Sequence, residues 1–566
     1  MPHRTASPRL HPPGGASASW LTACAPWDII ARCLAAFRRP TYALPVDLFR
    51  VLVGLLSLAY FIHLFLQADD FSGPDGLIDH ALTRELFWYT RIGLFGPWMG
   101  VGAFRAVYLF AAVGACALVV GYRVRLAAGA LFLIAVSAYR WNFLVIYVDD
   151  AIMHLALFWL VLLPIGRTLV LAEWLRDRQA ATTRWKTQLV PGGAVRCCLF
   201  NLMLIYLVPG LWKSTSTMWR EGTALYAVLR MPMSYAPEFW RPEFLPFLKL
   251  ANWGALGLEL ILPLMFLLPA HHRAKWPMLI ACVGFHLGIV FTLRIPYANI
   301  ACIAGMALVF RHEIMRAVKG RVTPPSWHPQ AVIAWRDRAA LAFVGVLTLA
   351  IAGEVRIPSW RYASRGQPPI AIAAASGALA QPETLEHAAD GRVGFMRTGH
   401  NMLYYPLWII GIAQSFQLFD WIDHRNFRVS YVATERRADG TLRPVDPTLV
   451  IPNSLRGVLL QSYVHDVTWG RVPRSRAPEL KAALFTRYAA RYCRTHPNSG
   501  EIEMHATVGR LSPDGVDSQT LGERFMVFQC RGGMSALMYP SWVGNSQVAA
   551  SAAPVTHTGG IQTRTR

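Results

Sequence analysis

Long apolar segments recur along the first 353 residues, and they constrain the fold more than any other feature of the sequence. A helix needs about 20 mainly apolar residues to cross a hydrocarbon core about 30 Å thick. Nine segments approach that length and predict an all-α polytopic bundle of about nine transmembrane helices. They are residues 44–67, 103–121, 125–139, 142–165, 196–212, 250–269, 277–293, 297–310 and 339–353.

A tenth apolar run, residues 404–419, contains a proline and two glutamines. We therefore expect it to lie at the membrane interface or to pack on the bundle, not to cross the membrane.

Composition supports the same class of protein. Only 16% of the 566 residues are charged and 54% are hydrophobic, whereas an ordinary soluble domain has about 25% charged residues. This apolar content excludes disorder for most of the chain. The formal charge of +22 belongs to a chain that is too apolar for a soluble nucleic-acid binder. The composition therefore predicts membrane lipid, and not nucleic acid, as a partner.

Lys and Arg are divided unevenly between alternate loops, and this sets the predicted orientation. Loops on one side of the nine segments hold 21 basic residues, and loops on the other side hold 9. Because basic residues mark the cytoplasmic side, the N-terminus is predicted in the cytoplasm, with the bundle in a plasma or inner membrane. Nine crossings then place everything after about residue 354 on the extracytoplasmic side.

The C-terminal part of the chain has a different pattern. Alternating runs at 427–432 and 524–528 predict strands, and the Asp-Gly pairs at 439–440 and 514–515 predict hairpin turns. Helical spacing of apolar residues predicts a helix over 477–494. We therefore expect a small extracytoplasmic α+β domain after the bundle.

The predicted divisions are a cytoplasmic segment 1–43 with residues 1–26 disordered, a bundle 44–315, a further transmembrane helix with a connecting segment 316–424, the α+β domain 425–535, and a disordered tail 536–566.

Two cysteines, Cys493 and Cys530, fall in this α+β region and are assigned a structural role. An oxidising compartment would let them form a disulfide. Two free buried thiols fit the sequence equally well.

Ionisable side chains inside a bilayer are costly, so each one requires an explanation. Asp47 and Arg50 stand three residues apart, which is helical pairing distance, and we assign them a structural role. Asp149 and Asp150 could pair with Arg50 or Arg105, or they could line a polar cavity, and the sequence favours neither.

Two further groups lie deep in the apolar segments. Glu259 is near the middle of its segment, which favours a role in a cavity. His286 is flanked by glycines that permit close helix approach, and a hydrogen-bonded core histidine is its commoner interpretation.

The sequence has no metal-ligand spacing, phosphate-binding loop, nucleophile elbow or dinucleotide glycine pattern in a supporting context. We therefore predict no metal site.

The strongest local signal is the run 206–213. Pro209 and Gly210 interrupt a helix as it reaches the predicted outer surface, and Lys213 follows beside Trp212. The chain holds 49 Arg and only 6 Lys. A buried Lys can act as a neutral base and an Arg cannot, whereas a snorkelling interfacial cation would be served equally well by Arg. Both interpretations of Lys213 stay open.

Taken in order, several motifs resemble the HTTM (horizontally transferred transmembrane) domain family, membrane proteins similar to the vitamin K-dependent gamma-carboxylase. The similar region is about 44–315, with one further match beyond the bundle. The motifs are Leu48–Gly54, Gly73–Leu77, Gly121–Arg123, Ser137 with Arg140–Asn142, Asp149–Pro164, Tyr206–Gly222, Phe285–His286 and Gln414–Phe419.

This resemblance implies a membrane-embedded enzyme with carboxylase-like chemistry. In the carboxylase, a Lys after the Tyr–Gly stretch is the base that starts oxygenation of reduced vitamin K, and Lys213 takes that position. A reduced quinone is therefore the implied cofactor. The chain departs from the pattern in two places. Trp212 stands where the carboxylase has a first Lys, and no counterpart of its catalytic His lies around 141–143.

Three functions follow, in order of preference. The first is an enzyme acting on a lipid, quinol or peptide substrate at the outer face. The second is a non-catalytic maturation or binding protein with an extracytoplasmic protein or peptide partner. The third is a transporter, which ranks last because no two repeated halves are visible. For the enzyme, the predicted catalytic residues are Lys213, His286 and Glu259, and the predicted pocket residues are Trp212, Trp219, Tyr206, Asp149, Asp150 and Asn142.

Overall fold

The protein is described from a computed structural model. The described residues are 37, 39–145, 148–269, 272–319, 335–363, 406–407, 409–412, 419, 422, 426, 428–437, 439–458, 460, 477–512, 515, 517–519, 523–531 and 535–538. The predicted disordered residues 1–26 lie outside them, as do residues 539–566 of the predicted tail and most of the apolar run 404–419. Residues 536–538 of the predicted disordered tail belong to a strand, so the tail prediction is wrong there.

The described part of the chain is mostly helical. Its helices are α1 (Ala43–Leu66), α2 (Ala68–Phe71), α3 (His80–Leu86), α4 (Val101–Val120), α5 (Val124–Trp141), α6 (Val148–Leu162), α7 (Leu171–Arg176), α8 (Arg178–Thr187), α9 (Gly193–Lys213), α10 (Thr217–Glu221), α11 (Ala224–Arg230), α12 (Leu245–Leu267), α13 (Lys275–Thr292), α14 (Pro296–Val309), α15 (Arg311–Lys319), α16 (Trp335–Ala363) and α17 (Ala477–Thr495). Its strands are β1 (Thr41–Tyr42), β2 (Leu189–Val190), β3 (Arg428–Arg436), β4 (Leu442–Val445), β5 (Glu501–Leu511), β6 (Asp517–Gln519), β7 (Glu523–Gln529) and β8 (Ser535–Met538).

Six helices in the described part of the chain are long and apolar enough to cross a membrane. They are α1, α4, α5, α9, α12 together with the 3-10 turn before it, and α13. The pair α14 and α15, bent by 60°, adds a seventh if it is a single span. These helices fit an integral, multi-pass membrane protein. The predicted number of about nine is not confirmed.

The predicted fourth segment shows why the number differs. Residues 142–165 do not form one helix, because Asn142 ends α5 and a 3-10 turn follows at Phe143–Val145. The helix α6 then has 15 residues. At 1.5 Å per residue it is about 22 Å long, shorter than a bilayer core. Apolar content alone does not reveal such a break.

The C-terminal region forms an antiparallel sheet with the strand order β4-β3-β5-β7-β8, and β6 also pairs with β5. The predicted hairpin at Asp439–Gly440 is confirmed, because β3 and β4 pair on either side of it and Gly440 has φ +80°. The predicted helix over 477–494 corresponds to α17, which packs on the sheet. Strand β8 continues past residue 535, where the sequence analysis ends the domain.

One apolar core joins this sheet to the bundle. Leu484 and Phe525 of the sheet region belong to the same buried cluster as Phe71, at the end of the short helix α2, and Phe143, in the 3-10 turn after α5. The Asp70 carboxylate also accepts from Arg491 of α17 at 2.9 Å. We call the end of the bundle that contacts the sheet the sheet end, and the end where α1 begins the opposite end.

Cys493 of α17 and Cys530 after β7 form a disulfide. The sequence left this pairing open. The bond ties the C-terminal end of α17 to the end of a central strand.

Candidate functional site

Lys213 and Glu259 form a buried ion pair between α9 and α12. The Lys213 Nζ donates to Glu259 Oε1 at 2.5 Å, and both residues are buried, at 3% and 5% exposure. The ammonium also lies over the Trp219 ring, 4.8 Å from its centroid. The structure therefore brings together three of the residues that the sequence analysis assigned to the site.

Close approach of the two helices makes this pair possible. Gly210 lies in the last turn of α9, and a Cβ added there would come within 3.0 Å of Leu260 and 3.3 Å of Glu259. Pro209 stands beside it inside the helix and removes a backbone hydrogen bond there. The predicted interruption of the helix is wrong, because α9 continues through Pro209 and Gly210 to Lys213. The two residues instead lie where α9 touches α12, one turn before Lys213.

The short helix α10, which carries Trp219, is fixed to α12 by Asn252. Asn252 accepts from the Leu225 backbone N–H at 3.0 Å and donates to the Trp219 carbonyl at 2.8 Å. Because Asn252 and Glu259 are seven residues apart, they lie on one face of α12. The same helix therefore positions both the carboxylate and the aromatic ring around Lys213.

Two polar atoms at this site lack a partner among the described residues. They are the buried Glu259 Oε2 and the buried Trp212 Nε1. A buried polar atom without a hydrogen bond is costly and requires an explanation. The site therefore has the capacity for one further donor at the carboxylate and one further acceptor at the indole.

His286 of α13 and Tyr206 of α9 form a second group, which packs on α12 one turn after Glu259. Asn299 donates to the Ile295 carbonyl at 2.6 Å, so its Oδ1 accepts from His286 Nδ1–H at 2.8 Å. His286 Nε2 lies 2.8 Å from the Tyr206 hydroxyl. The bond to Asn299 therefore places a proton on Nδ1 of His286. Tyr206 packs against Leu262, three residues after Glu259.

Asp150 lies in a third group and pairs with a residue that the sequence analysis missed. Its Oδ1 accepts from the Tyr60 hydroxyl at 2.6 Å and from Arg456 Nη2 at 2.8 Å. Of the two alternatives left open by the sequence, pairing with Arg50 or Arg105 is not what the described residues show, because Arg50 pairs with Asp47 and Arg105 with Asp69. Arg456 comes from the C-terminal region, and its short polar segment carries no motif that could have revealed it.

The environment of Arg456 keeps it charged. Burial lowers the pKa of this guanidinium. The Asp150 carboxylate and the Tyr60 hydroxyl raise the pKa by more than burial lowers it, so that it lies above its ordinary value. Arg456 is 3% exposed and is thus a buried cation from the sheet region held inside the bundle.

Asp149 and Asn142 occupy structural positions near this group. Asp149 Oδ1 accepts from the Ala298 N–H at 2.8 Å in the first turn of α14, where a carboxylate is favoured by the helix dipole. Its Oδ2 is buried and has no partner in the described part of the chain. Asn142 Nδ2 donates to the Ser72 hydroxyl at 3.2 Å.

Asp47 and Arg50 form a fully bonded pair at the opposite end. Asp47 accepts from Arg50 Nε at 2.9 Å and also from the backbone N–H groups of Gly166, Arg167 and Thr168 and from the Thr168 hydroxyl. Arg50 also donates to four backbone carbonyls, on residues 118, 119, 168 and 169. The pair holds the end of α4 and the loop after α6 onto α1.

A second buried Lys–Glu pair was missed by the sequence analysis. Lys275 Nζ lies 3.2 Å from Glu313 Oε1 and 3.4 Å from the Val309 carbonyl, over the Phe310 ring. Lys275 reads as an ordinary loop cation in the sequence, and Glu313 follows 38 residues later. The scarcity of Lys in the chain was the one sequence signal at Lys275, and Glu313 had none.

Within the described residues, no group of three or more His, Cys, Asp or Glu side chains is placed to hold a metal ion.

Comparison with family models, with curated proteins and with solved structures found no match. The resemblance to the HTTM family therefore stays a prediction.

Proposed function

We propose that this chain is a multi-pass membrane protein of the HTTM type with its sheet end outside the cell or in the periplasm. In this proposal the shorter helices α6 and α14 and the long α16 also cross the membrane, which gives about nine spans and a cytoplasmic N-terminus. The excess of basic residues in alternate loops supports this orientation. The disulfide between Cys493 and Cys530 supports an oxidising compartment for the sheet.

Single cysteines at the two ends test this orientation. Asp439→Cys lies on an exposed turn of the sheet, and Gln179→Cys lies on the exposed helix α8 at the opposite end. A membrane-impermeant maleimide applied to intact cells should label the first and not the second. Labelling of Gln179→Cys alone would reverse the orientation.

We further propose that the Lys213–Glu259 pair is a proton-accepting centre for a lipophilic substrate with an acidic O–H, such as a reduced quinone. The observation that carries this is a buried Lys–Glu pair whose carboxylate oxygen Glu259 Oε2 has no partner within the described part of the chain. Buried ionisable groups with open hydrogen-bonding capacity are a feature of functional sites.

The proposed step is a single proton transfer. The substrate O–H bond breaks, its electron pair stays on the substrate oxygen, and the proton binds the pair. Before the step the pair shares one proton, which moves from the Lys213 ammonium to Glu259 and leaves a neutral amine on Lys213. This amine accepts the substrate proton, so Lys213 ends as an ammonium and Glu259 as a carboxylic acid, and the pair gains one positive charge beside the new substrate anion. Trp219, with its ring on the Lys213 ammonium, stabilises the cation.

The surroundings favour a lipophilic substrate. On α12, Phe247, Leu250 and Trp253 are exposed apolar side chains, at 66%, 69% and 49% exposure. The Trp253 indole donates to the Arg220 carbonyl at 2.9 Å, next to Trp219 in the chain. The surface of α12 that adjoins the site therefore faces lipid, and a membrane-dissolved substrate reaches the site from there.

A matched pair of double variants tests the proposal. Lys213→Met with Glu259→Leu removes the proposed centre, and Lys275→Met with Glu313→Leu removes an equally buried pair at the opposite end. Quinol-dependent oxygen consumption is measured with bicarbonate present, in purified protein shown to be monodisperse. We expect the first variant to lose turnover and the second to retain it. The single variant Lys213→Arg should also lose turnover, because a guanidinium is not a base at neutral pH.

The assignment of the centre fails if the wild type shows no turnover, or if Lys213→Arg or the first double variant matches the wild type. Equal loss in both double variants would show that the pairs act only through stability.

One observation favours the second function, a membrane-anchored binding protein. Strand β4 is at the edge of the described sheet, and its Leu442 is 62% exposed. Val432 of the neighbouring β3 and Leu449 of the 3-10 turn after β4 are also exposed, at 59% and 43%. An edge strand with exposed apolar residues can add a strand from a peptide. In this function the double variant at Lys213 and Glu259 would retain all activity, and Leu442→Lys would lose it.

A further inference from the structure

A cavity of about 80 Å³ lies between the helices at the opposite end of the bundle, away from Lys213. Its walls come from α9, α12, α13, α14 and α15. The lining residues are Leu199, Met265, Phe266, Leu268, Lys275, Val309, Arg311 and His312. It has room for more than a single water molecule.

Basic side chains line one part of this cavity. Lys275 is 4% exposed, and its ammonium contacts Glu313 at 3.2 Å, the Val309 carbonyl at 3.4 Å and the Phe310 ring. Arg311 Nη1 donates to the Leu308 carbonyl at 3.1 Å. Among these described residues Glu313 balances one of the two cations, which leaves one positive charge in excess at the cavity.

The helix geometry holds the cavity in place. Helices α14 and α15 meet at a 60° bend next to Arg311. Arg311 and His312 therefore lie at the start of α15, directly after the bend. The remaining walls are apolar side chains of α9 and α12.

We propose that this cavity binds the phosphate group of an anionic phospholipid. Arg311 and Lys275 donate charge-assisted hydrogen bonds to the phosphate oxygens, and the apolar residues Leu199, Phe266 and Leu268 contact the start of the acyl chains. Basic pockets between transmembrane helices are suited to such headgroups. The excess positive charge at the cavity selects an anionic lipid over a zwitterionic one.

Matched variants on α15 test the site. Arg311→Gln removes a cation that lines the cavity, whereas Arg316→Gln removes an exposed cation from the same helix that does not line it. The full chain in neutral detergent is titrated with phosphatidylglycerol, phosphatidylcholine or inorganic phosphate, and the thermal unfolding midpoint is followed. We expect phosphatidylglycerol alone to raise the midpoint. Its apparent affinity should fall about five- to tenfold in Arg311→Gln, as expected for the loss of about 1 to 1.4 kcal/mol, and should be unchanged in Arg316→Gln.

Each other outcome counts against the proposal. An equal shift with phosphatidylcholine, or equal affinities in the two variants, removes the site. A full shift with inorganic phosphate alone reassigns the ligand to a free anion. If Arg311→Gln does not fold, Leu199→Phe fills the cavity without changing charge, and retained phosphatidylglycerol affinity in that variant overturns the proposal.

Discussion

Two buried ion pairs of this protein differ in how completely their atoms are bonded. At the opposite end, Asp47 accepts five hydrogen bonds and Arg50 donates five. Near the sheet end, Lys213 and Glu259 share one hydrogen bond, and Glu259 Oε2 has no partner among the described residues. All four residues were singled out in the sequence, but only the pairing of Asp47 with Arg50 was predicted there, and the sequence did not show this difference in bonding.

The difference separates two uses of a buried charge. A pair whose donors and acceptors are all occupied joins helices and loops and leaves no place for a ligand. A pair with an open oxygen is less stable than it could be, which is a common feature of functional sites. The number of occupied hydrogen-bonding positions, more than burial or distance, distinguishes Asp47–Arg50 from Lys213–Glu259.

The largest expected effect comes from Asp47→Leu. It leaves the Arg50 guanidinium and four other donors without their acceptor, so we expect a loss of at least about 5 kcal/mol in the free energy of unfolding. Denaturant unfolding in detergent measures it. The control is Asp69→Leu, which breaks an exposed pair with Arg105 and should cost less than about 1 kcal/mol.

Glu259→Leu should cost about 3 to 5 kcal/mol, because it leaves the Lys213 ammonium buried and unpaired. Adding Lys213→Met should bring the unfolding free energy back to within about 1 kcal/mol of the wild type. The corresponding double change at Asp47 and Arg50 should not restore the free energy of unfolding. Backbone groups at the end of α4 and in the loop after α6 would stay without hydrogen bonds. Equal recovery at both pairs would remove the distinction between them.

Arg456→Met tests the Asp150–Arg456 pair, whose carboxylate accepts two hydrogen bonds and is thus intermediate in bonding between the other two pairs. Asp150 would keep its bond from Tyr60, so we expect a loss of about 2 to 3 kcal/mol. The effect should be local to the junction of sheet and bundle, and faster hydrogen exchange in α17 with unchanged exchange in α4 would show this. A uniform change across both helices would contradict it.

Gly210→Ala should give the smallest effect. The added methyl group meets Leu260 and Glu259 at 3.0 and 3.3 Å, so α9 must move from α12 by a few tenths of an ångström. We expect a cost of about 1 kcal/mol together with reduced turnover at the proposed centre. Gly257→Ala on α12 has no atom within 4 Å of the new methyl group. It should be neutral or stabilising by up to about 1 kcal/mol.

Much of the fold followed from periodicity. The predicted segments 44–67 and 103–121 match α1 and α4 to within two residues at each end. The hairpin at 439–440 and the helix α17 were also recognisable, because turn residues and apolar spacing are local signals. The break after Asn142 was not, since an apolar 3-10 turn and an apolar helix have the same composition.

The site was only partly predictable for a related reason. Lys213 stood out through its neighbours Pro209 and Gly210, and Glu259 through its depth in an apolar segment. Their contact joins residues 46 positions apart, and no local pattern encodes it. Arg456 is 306 positions from Asp150, so its role emerges only when the sheet is placed on the bundle.

The core shared by the sheet and the bundle also has a consequence for biosynthesis. Asp70 is translated 421 residues before its partner Arg491. At about 5 to 20 residues per second, the loop containing Asp70 waits roughly 20 to 80 s for the side chains that cover it. During that interval Phe71 and its apolar neighbours lack their cover, and a nascent chain stalled before α17 would present them to chaperones and proteases. Synthesis of the last hundred residues therefore completes the first loop of the protein.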